Sequence, residues 1–146
     1  MKTSIIISIL VALLDQTIKF FIDKQVLFRK VIPDLFNIHK VYNYGVAFSF
    51  LENKRYLILL FSIILIYFLF NLRKDLPKAK KYDILFGVIL GGILGNLIDR
   101  IFRGFVIDYF EIFLGQYSFP IFNLADICIT LGIIIMILIM SLGDKK

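Results

Sequence analysis

Charge is scarce in this 146-residue chain: 19% of its residues are Asp, Glu, Lys or Arg, while 60% are hydrophobic. An ordinary soluble domain carries about a quarter charged residues and is about half apolar. With a mean hydropathy of +0.88, that shortage excludes a water-soluble globular domain and makes this a membrane protein. Cysteine is limited to Cys128, so no internal disulfide can form, and its place in an apolar run marks an inert buried thiol. Histidine is limited to His39, in a loop, and without a His/Cys/Glu cluster no metal is expected. Serine-nucleophile and phosphate-cradling glycine patterns are missing, as are repeats and low-complexity segments. No cofactor is expected.

What is present is apolar length. Runs over residues 4–22, 56–72, 84–102 and 121–142 can each cross a hydrocarbon core of roughly 30 Å, which takes about 20 helical residues. The expected fold is all-α and integral to the membrane, one membrane-embedded domain over 1–146. Lys2 ahead of an apolar stretch resembles a cleavable leader, but no small-x-small site follows, so this run is read as the first span. The second span has no ionisable side chain apart from tyrosines and reads as packing.

The net charge of +6 is spread over loops without a nucleic-acid motif, so no nucleic-acid partner is expected and the charge reads as orientation. Residues 73–81, RKDLPKAKK, hold five basic side chains, and the tail ends in Lys145 and Lys146. Both termini are therefore expected in the cytoplasm. The 24–55 connection also holds six, diluted over a longer stretch and mixed with Asp34 and Glu52. Its segment LFNIHKVYNYGVAFSF suggests short strands, a small extracytoplasmic sheet. The other outer connection, RGFVIDYFEIFLGQYSFP, is amphipathic and aromatic and is expected as an interfacial helix or loop.

The polar residues of the spans fall in one layer toward the outer leaflet. Asp15 and Lys19 are four apart, Asn96 and Arg100 four apart, and Asn123 and Asp126 three apart, so each pair shares a helix face. Salt bridges of Asp15 with Lys19 and Asp99 with Arg100 could be purely structural. They leave Asp108 and Asp126 without basic partners nearby in sequence, and surplus acids near water suggest a catalytic site. Two aspartates sharing one proton can activate water, one as base while the other protonates a carbonyl. Gly87, Gly91 and Gly95 would let helices approach closely beside it. A small transporter or channel using these acids is the alternative, although its path should continue across an inner half that carries no charge. A structural bundle would leave Asp108 and Asp126 unexplained.

Four blocks, DQTIK at 15–19, NYGVAFS at 43–49, GGILGNLIDR at 91–100 and VIDYF...FPIFNLADICI over 106–129, resemble the bacterial lipoprotein signal peptidases (signal peptidase II, prolipoprotein signal peptidase). The resemblance implies an aspartyl endopeptidase of the bacterial inner (cytoplasmic) membrane, with its active site toward the extracytoplasmic face. It would remove signal peptides from diacylglyceryl-modified prolipoproteins just before the lipidated cysteine. It implies Asp108 and Asp126 as catalytic residues, with Asp15, Lys19, Asn43, Gly45, Asn96, Asp99, Arg100, Asn123 and Ala125 binding substrate or supporting the pair. Lipidated precursors and membrane lipids would be its partners, globomycin its inhibitor, and a monomer its working form. Tyr109 stands where many members have phenylalanine.

Overall fold

The computed structural model describes residues 1–25, 27–45 and 54–142. Residues 46–49 of the NYGVAFS block, Glu52 and the tail lysines Lys145 and Lys146 lie outside the described residues. The elements run α1 (Lys2–Gln25), β1 (Phe28–Ile32), β2 (Phe36–Asn43), α2 (Arg55–Asp75), α3 (Lys80–Phe102), β3 (Val106–Leu114), β4 (Tyr117–Ser118) and α4 (Leu124–Ser141). All four helices are long and apolar enough to cross a membrane. They include the expected spans except at the last, where residues 121–123 and 142 are not helical.

Helix α3 is the centre, since it buries the largest share of its surface of the four. Its glycines are the reason. A Cβ on Gly91 would lie 2.6 Å from the Val11 side chain and 2.8 Å from the Ser8 carbonyl, so α1 rests directly on the α3 backbone. On the adjoining face a Cβ at Gly92 would lie 2.6 Å from the Ala125 carbonyl, where α4 approaches. Helices close this far because the glycines remove the side chains between them. Helix α2 packs on α3 through Leu69, Leu76, Phe86 and Leu90. It ends at Leu76, which is extended, as expected before Pro77. The exposed Ile, Leu and Phe side chains of α1, α2 and α4 form the surface that lipid would cover.

The strands form one small antiparallel sheet in the order β1-β2-β3-β4. The 103–123 connection is thus built from strands, where an interfacial helix or loop was expected. Its sequence explains this, because Val106-Ile-Asp-Tyr-Phe-Glu-Ile-Phe is β-branched and aromatic and pairs with β2 along its length. A one-residue bulge in β2 decides which of its side chains share a face with Asp108. Ile38 pairs with Phe110, but Val41, not Lys40, pairs with Asp108. The extra residue flips the faces of β2 beyond it. It puts Asn43, opposite Val106, on the face that carries Asp108.

Candidate active site

Four elements, β2, α3, β3 and α4, bring the site together. Strand β3 projects Asp108 to one face and Ile107 and Tyr109 to the other, where they pack with Ile22 of α1. Phe122 then pairs with β3: its carbonyl accepts from the N–H groups of Tyr109 (3.0 Å) and Phe110 (2.7 Å), and its N–H donates to the Phe110 carbonyl at 3.1 Å. That bridge delays the start of α4 to residue 124 and sets its first turn beside Asp108.

The first turn of α4 has its N–H groups fully occupied. Leu124 donates to the Tyr109 hydroxyl (3.1 Å), Ala125 to Asp15 Oδ1 (3.1 Å) and Asp126 to Asn123 Oδ1 (2.9 Å). Asp126 Oδ2 accepts in return from the Asn123 N–H at 3.2 Å, completing a capping box. The capping box and the helix dipole both favour an acid here. The Asp126 carboxylate is thereby held by the backbone of Asn123.

An asparagine pair links the two acids. Asn123 Nδ2 donates to Asp108 Oδ1 (2.6 Å) and to Asn96 Oδ1 (3.1 Å), while Asn96 Nδ2 donates to Asp126 Oδ1 (2.7 Å). Lys19 Nζ also donates to Asn96 Oδ1, at 2.9 Å. With its oxygen held by two donors, the Asn96 amide has one useful orientation, nitrogen toward Asp126. Asn43 Nδ2 donates to Asp108 Oδ2 at 2.8 Å, across the diagonal that the bulge created. Asp108 and Asp126 both line a cavity of about 310 Å³ shared with Asn43, Asn96 and Arg100. Burial first, and the charge of Asp126 second, push the Asp108 carboxyl up to about 7, against the pull of its two asparagine donors.

Behind the pair lies a buried ionic layer. Lys19 Nζ sits 2.8 Å from both Asp15 Oδ2 and Asp99 Oδ2, and all three side chains are fully buried. Asp99 pairs with Lys19 and Arg103, not with Arg100 as the purely structural alternative would have it. Arg103 is one helical turn beyond Asp99 and so shares its face, whereas Arg100 is turned away. Arg100 instead donates to the Gly45 carbonyl (3.2 Å) and the Asn96 carbonyl (3.5 Å), and it forms no ion pair among the described residues. Gly45 is itself held by Asn43, whose Oδ1 accepts its N–H at 2.9 Å.

All eleven residues singled out from the sequence thus fall in or directly behind this cavity. Three others complete the layer. Gln16 donates to Asp99 Oδ1 and the Gly95 carbonyl, both at 3.0 Å, and accepts from Arg103 at 2.7 Å. Tyr109 supplies the acceptor for Leu124. Gln16 lies inside DQTIK and Arg103 lies four residues after Asp99, so helix periodicity carried a signal for both. The role of Tyr109 depends on the strand and had none.

Gly95 joins the packing to the layer. A Cβ there would lie 2.6 Å from Asp15 Oδ2. Gly95→Ala should therefore displace Asp15 from Lys19 and from the Ala125 N–H, with a loss of roughly 1–3 kcal/mol from overpacking. Thermal unfolding in detergent checks this, and an unchanged midpoint would contradict it.

The sequence profile described as signal peptidase (SPase) II matches residues 7–142. The lipoprotein signal peptidase of Pasteurella multocida (strain Pm70) is 41% identical over 133 residues, covering 86% of this chain and 81% of the relative. That of Haemophilus ducreyi (strain 35000HP / ATCC 700724) is 36% identical over 147 residues, covering 96% and 91%. A bacterial membrane enzyme solved by the in meso method at 2.3 Å superposes with a TM-score of 0.85 at 32% identity, covering all of this chain and 93% of the other. A second, solved at 1.9 Å, gives 0.84 at 31% identity, covering 100% and 96%.

Proposed function

The chain belongs to the signal peptidase II family, and from that premise we propose that it cleaves prolipoproteins through the carboxylates of Asp108 and Asp126. It is a membrane protease that removes signal peptides from prolipoproteins. The cut falls just before a diacylglyceryl-modified cysteine, and one peptidase unit spans residues 1–146.

The observation that carries the assignment of the pair is the shared cavity, with Asn123 and Asn96 donating to one acid each. In the reaction one carboxylate, ionised, takes a proton from water, and the oxygen attacks the scissile carbonyl. The other, protonated, hydrogen-bonds the carbonyl oxygen as it gains charge. Collapse of the tetrahedral intermediate passes a proton to the leaving amine and frees the signal peptide as a carboxylate. Arg100 and Asn43, which line the cavity, hold the substrate backbone in this reading. Asp15, Lys19 and Asp99 support the pair from behind, together with the backbone of Ala125. A transporter reading is less favoured because the buried charges Asp15, Lys19, Asp99 and Asp108 gather at one end of the bundle.

Both termini lie in the cytoplasm and the cavity opens toward the extracytoplasmic face, with β3 and β4 at the interface. Acyl chains would hold the scissile bond at that depth. The enzyme acts as a monomer among membrane lipids, and globomycin, with a hydroxyl between the acids, blocks it. The test is incubation of purified protein with a lipidated and an unlipidated precursor. Loss of the signal peptide from the lipidated form alone is expected; cleavage of neither, with folded protein, refutes the reading.

A pair working with one proton should lose kcat/KM on the alkaline side as that proton leaves, with a limb near pH 7 following Asp108. The same shift makes stability depend on pH. Folded Asp108 keeps its proton between its ordinary 3.8 and about 7, where an unfolded chain has lost it, so its contribution falls as pH rises through that window and then levels. Asp108→Asn should flatten that slope in unfolding measured from pH 4 to 8. A variant with the wild-type slope would contradict the placement of Asp108.

A further inference from the structure

At the opposite end of the bundle, α2 stops and α3 begins around a cavity of about 380 Å³. Asp83 in its wall is 16 residues before Asp99 on α3, a separation of about 24 Å along the axis. The cavity is therefore independent of the candidate active site. Phe70, Leu76 and Phe86 give it an apolar lining, and Arg73, Lys74 and Lys78 also line it.

The cations are not equivalent. Arg73 is occupied: Nε and Nη2 donate to Asp83 Oδ1 at 3.0 and 2.6 Å, and Nη1 reaches the carbonyls of Leu76 and Pro77 at 3.3 and 3.4 Å. Asp83 also accepts from Ser4 Oγ at 3.2 Å and from the Met1 amine at 3.1 Å, so its single negative charge already faces two cations, Arg73 and the Met1 amine. Lys74 is exposed and, among the described residues, donates only to the neutral Asn71 side chain, at 3.0 Å. Lys78 is exposed and makes no ion pair among the described residues. Two ammonium groups thus face an aromatic-lined cavity whose one carboxylate among the described residues, Asp83, is engaged by Arg73 and the Met1 amine.

Membrane orientation accounts for the number of basic residues in 73–81, but not for two of them sharing a cavity with Phe70 and Phe86. A small soluble anion would leave that lining unused, and a zwitterionic lipid would leave the ammonium groups unbalanced. We propose that this cavity binds an anionic glycerophospholipid, its phosphate against Lys74 and Lys78 and an acyl chain along Phe70 and Phe86. Its location at the helix ends is the depth at which headgroups lie, and basic pockets between spans hold such headgroups. The well-anchored Arg73–Asp83 pair fixes the rim.

The test uses the full chain in neutral detergent, titrated with phosphatidylglycerol, phosphatidylcholine or glycerol 3-phosphate and read by native mass spectrometry and thermal unfolding. Phosphatidylglycerol should be retained and should raise the unfolding midpoint, with the other two having little effect. Lys74→Ala/Lys78→Ala should weaken phosphatidylglycerol binding roughly thirtyfold. Arg29→Ala/Lys30→Ala, which removes the same charge from the exposed strand β1, should not weaken it. Lys74→Gln/Lys78→Gln serves as a second pocket variant, with retained precursor cleavage as the check of folding. Equal binding of phosphatidylcholine, an equal effect of glycerol 3-phosphate, or equal weakening by both double variants would each overturn the proposal.

Discussion

Asp126→Asn, and separately Asp108→Asn, should lower cleavage of a lipidated precursor by roughly four orders of magnitude or more, the scale on which loss of one member of a coupled catalytic set acts. Each change keeps the side-chain shape and removes the titrating group. The double variant should be about as inactive as either single one, because the acids work as a unit. Folding should survive: the Asn123 box can still form through a side-chain oxygen, and an amide at residue 108 removes the carboxylate charge that burial disfavours. The check is single-turnover cleavage with protein shown to be folded by its unfolding transition. Near wild-type turnover in either variant would remove that residue from the pair.

Lys19→Met should have the largest effect on stability, a loss of about 3–5 kcal/mol. The ammonium is buried between Asp15 and Asp99 at 2.8 Å to each, so its removal leaves carboxylates without a counter-ion in a place water does not reach. Asp99 keeps Arg103, but Asp15 keeps only the Ala125 N–H and a long contact from Gln16 at 3.5 Å. Lys19→Met with Asp15→Asn should therefore recover part of the loss, which a purely steric defect would not allow. Thermal unfolding of the two variants side by side decides it. Activity should also fall, since Asn96 loses the donor that helps fix its amide toward Asp126.

The helices and the ionic layer were legible because both obey the helix period. Asp15 with Lys19, and Asn123 with Asp126, lie where spacings of four and three put them on one face. Hydrophobic length alone marked the membrane segments. The partner of Asp99 was in fact within reach of that period, since Arg103, four residues on, shares its face and the adjacent Arg100 does not. The period fails between elements. The 103–123 connection reads as amphipathic in either helix or strand form, and pairing with β2, a long-range contact, made it a strand. The bulge between Ile38 and Val41 leaves no mark in composition, yet it decides that Asn43 meets Asp108. The cavity near Lys74 was hidden for the same reason, since a basic loop reads as orientation until Phe70 and Phe86 are seen beneath it.

The central claim is that water activated between Asp108 and Asp126 cuts the peptide bond directly. Single-turnover cleavage of a lipidated precursor in oxygen-18 water, followed by mass spectrometry of the peptide and the enzyme, tests it most directly. The account predicts one labelled oxygen in the new carboxyl terminus of the signal peptide and none in the enzyme. Label in the side chain of Asp108 or Asp126, or a peptide covalently attached to either, would contradict it.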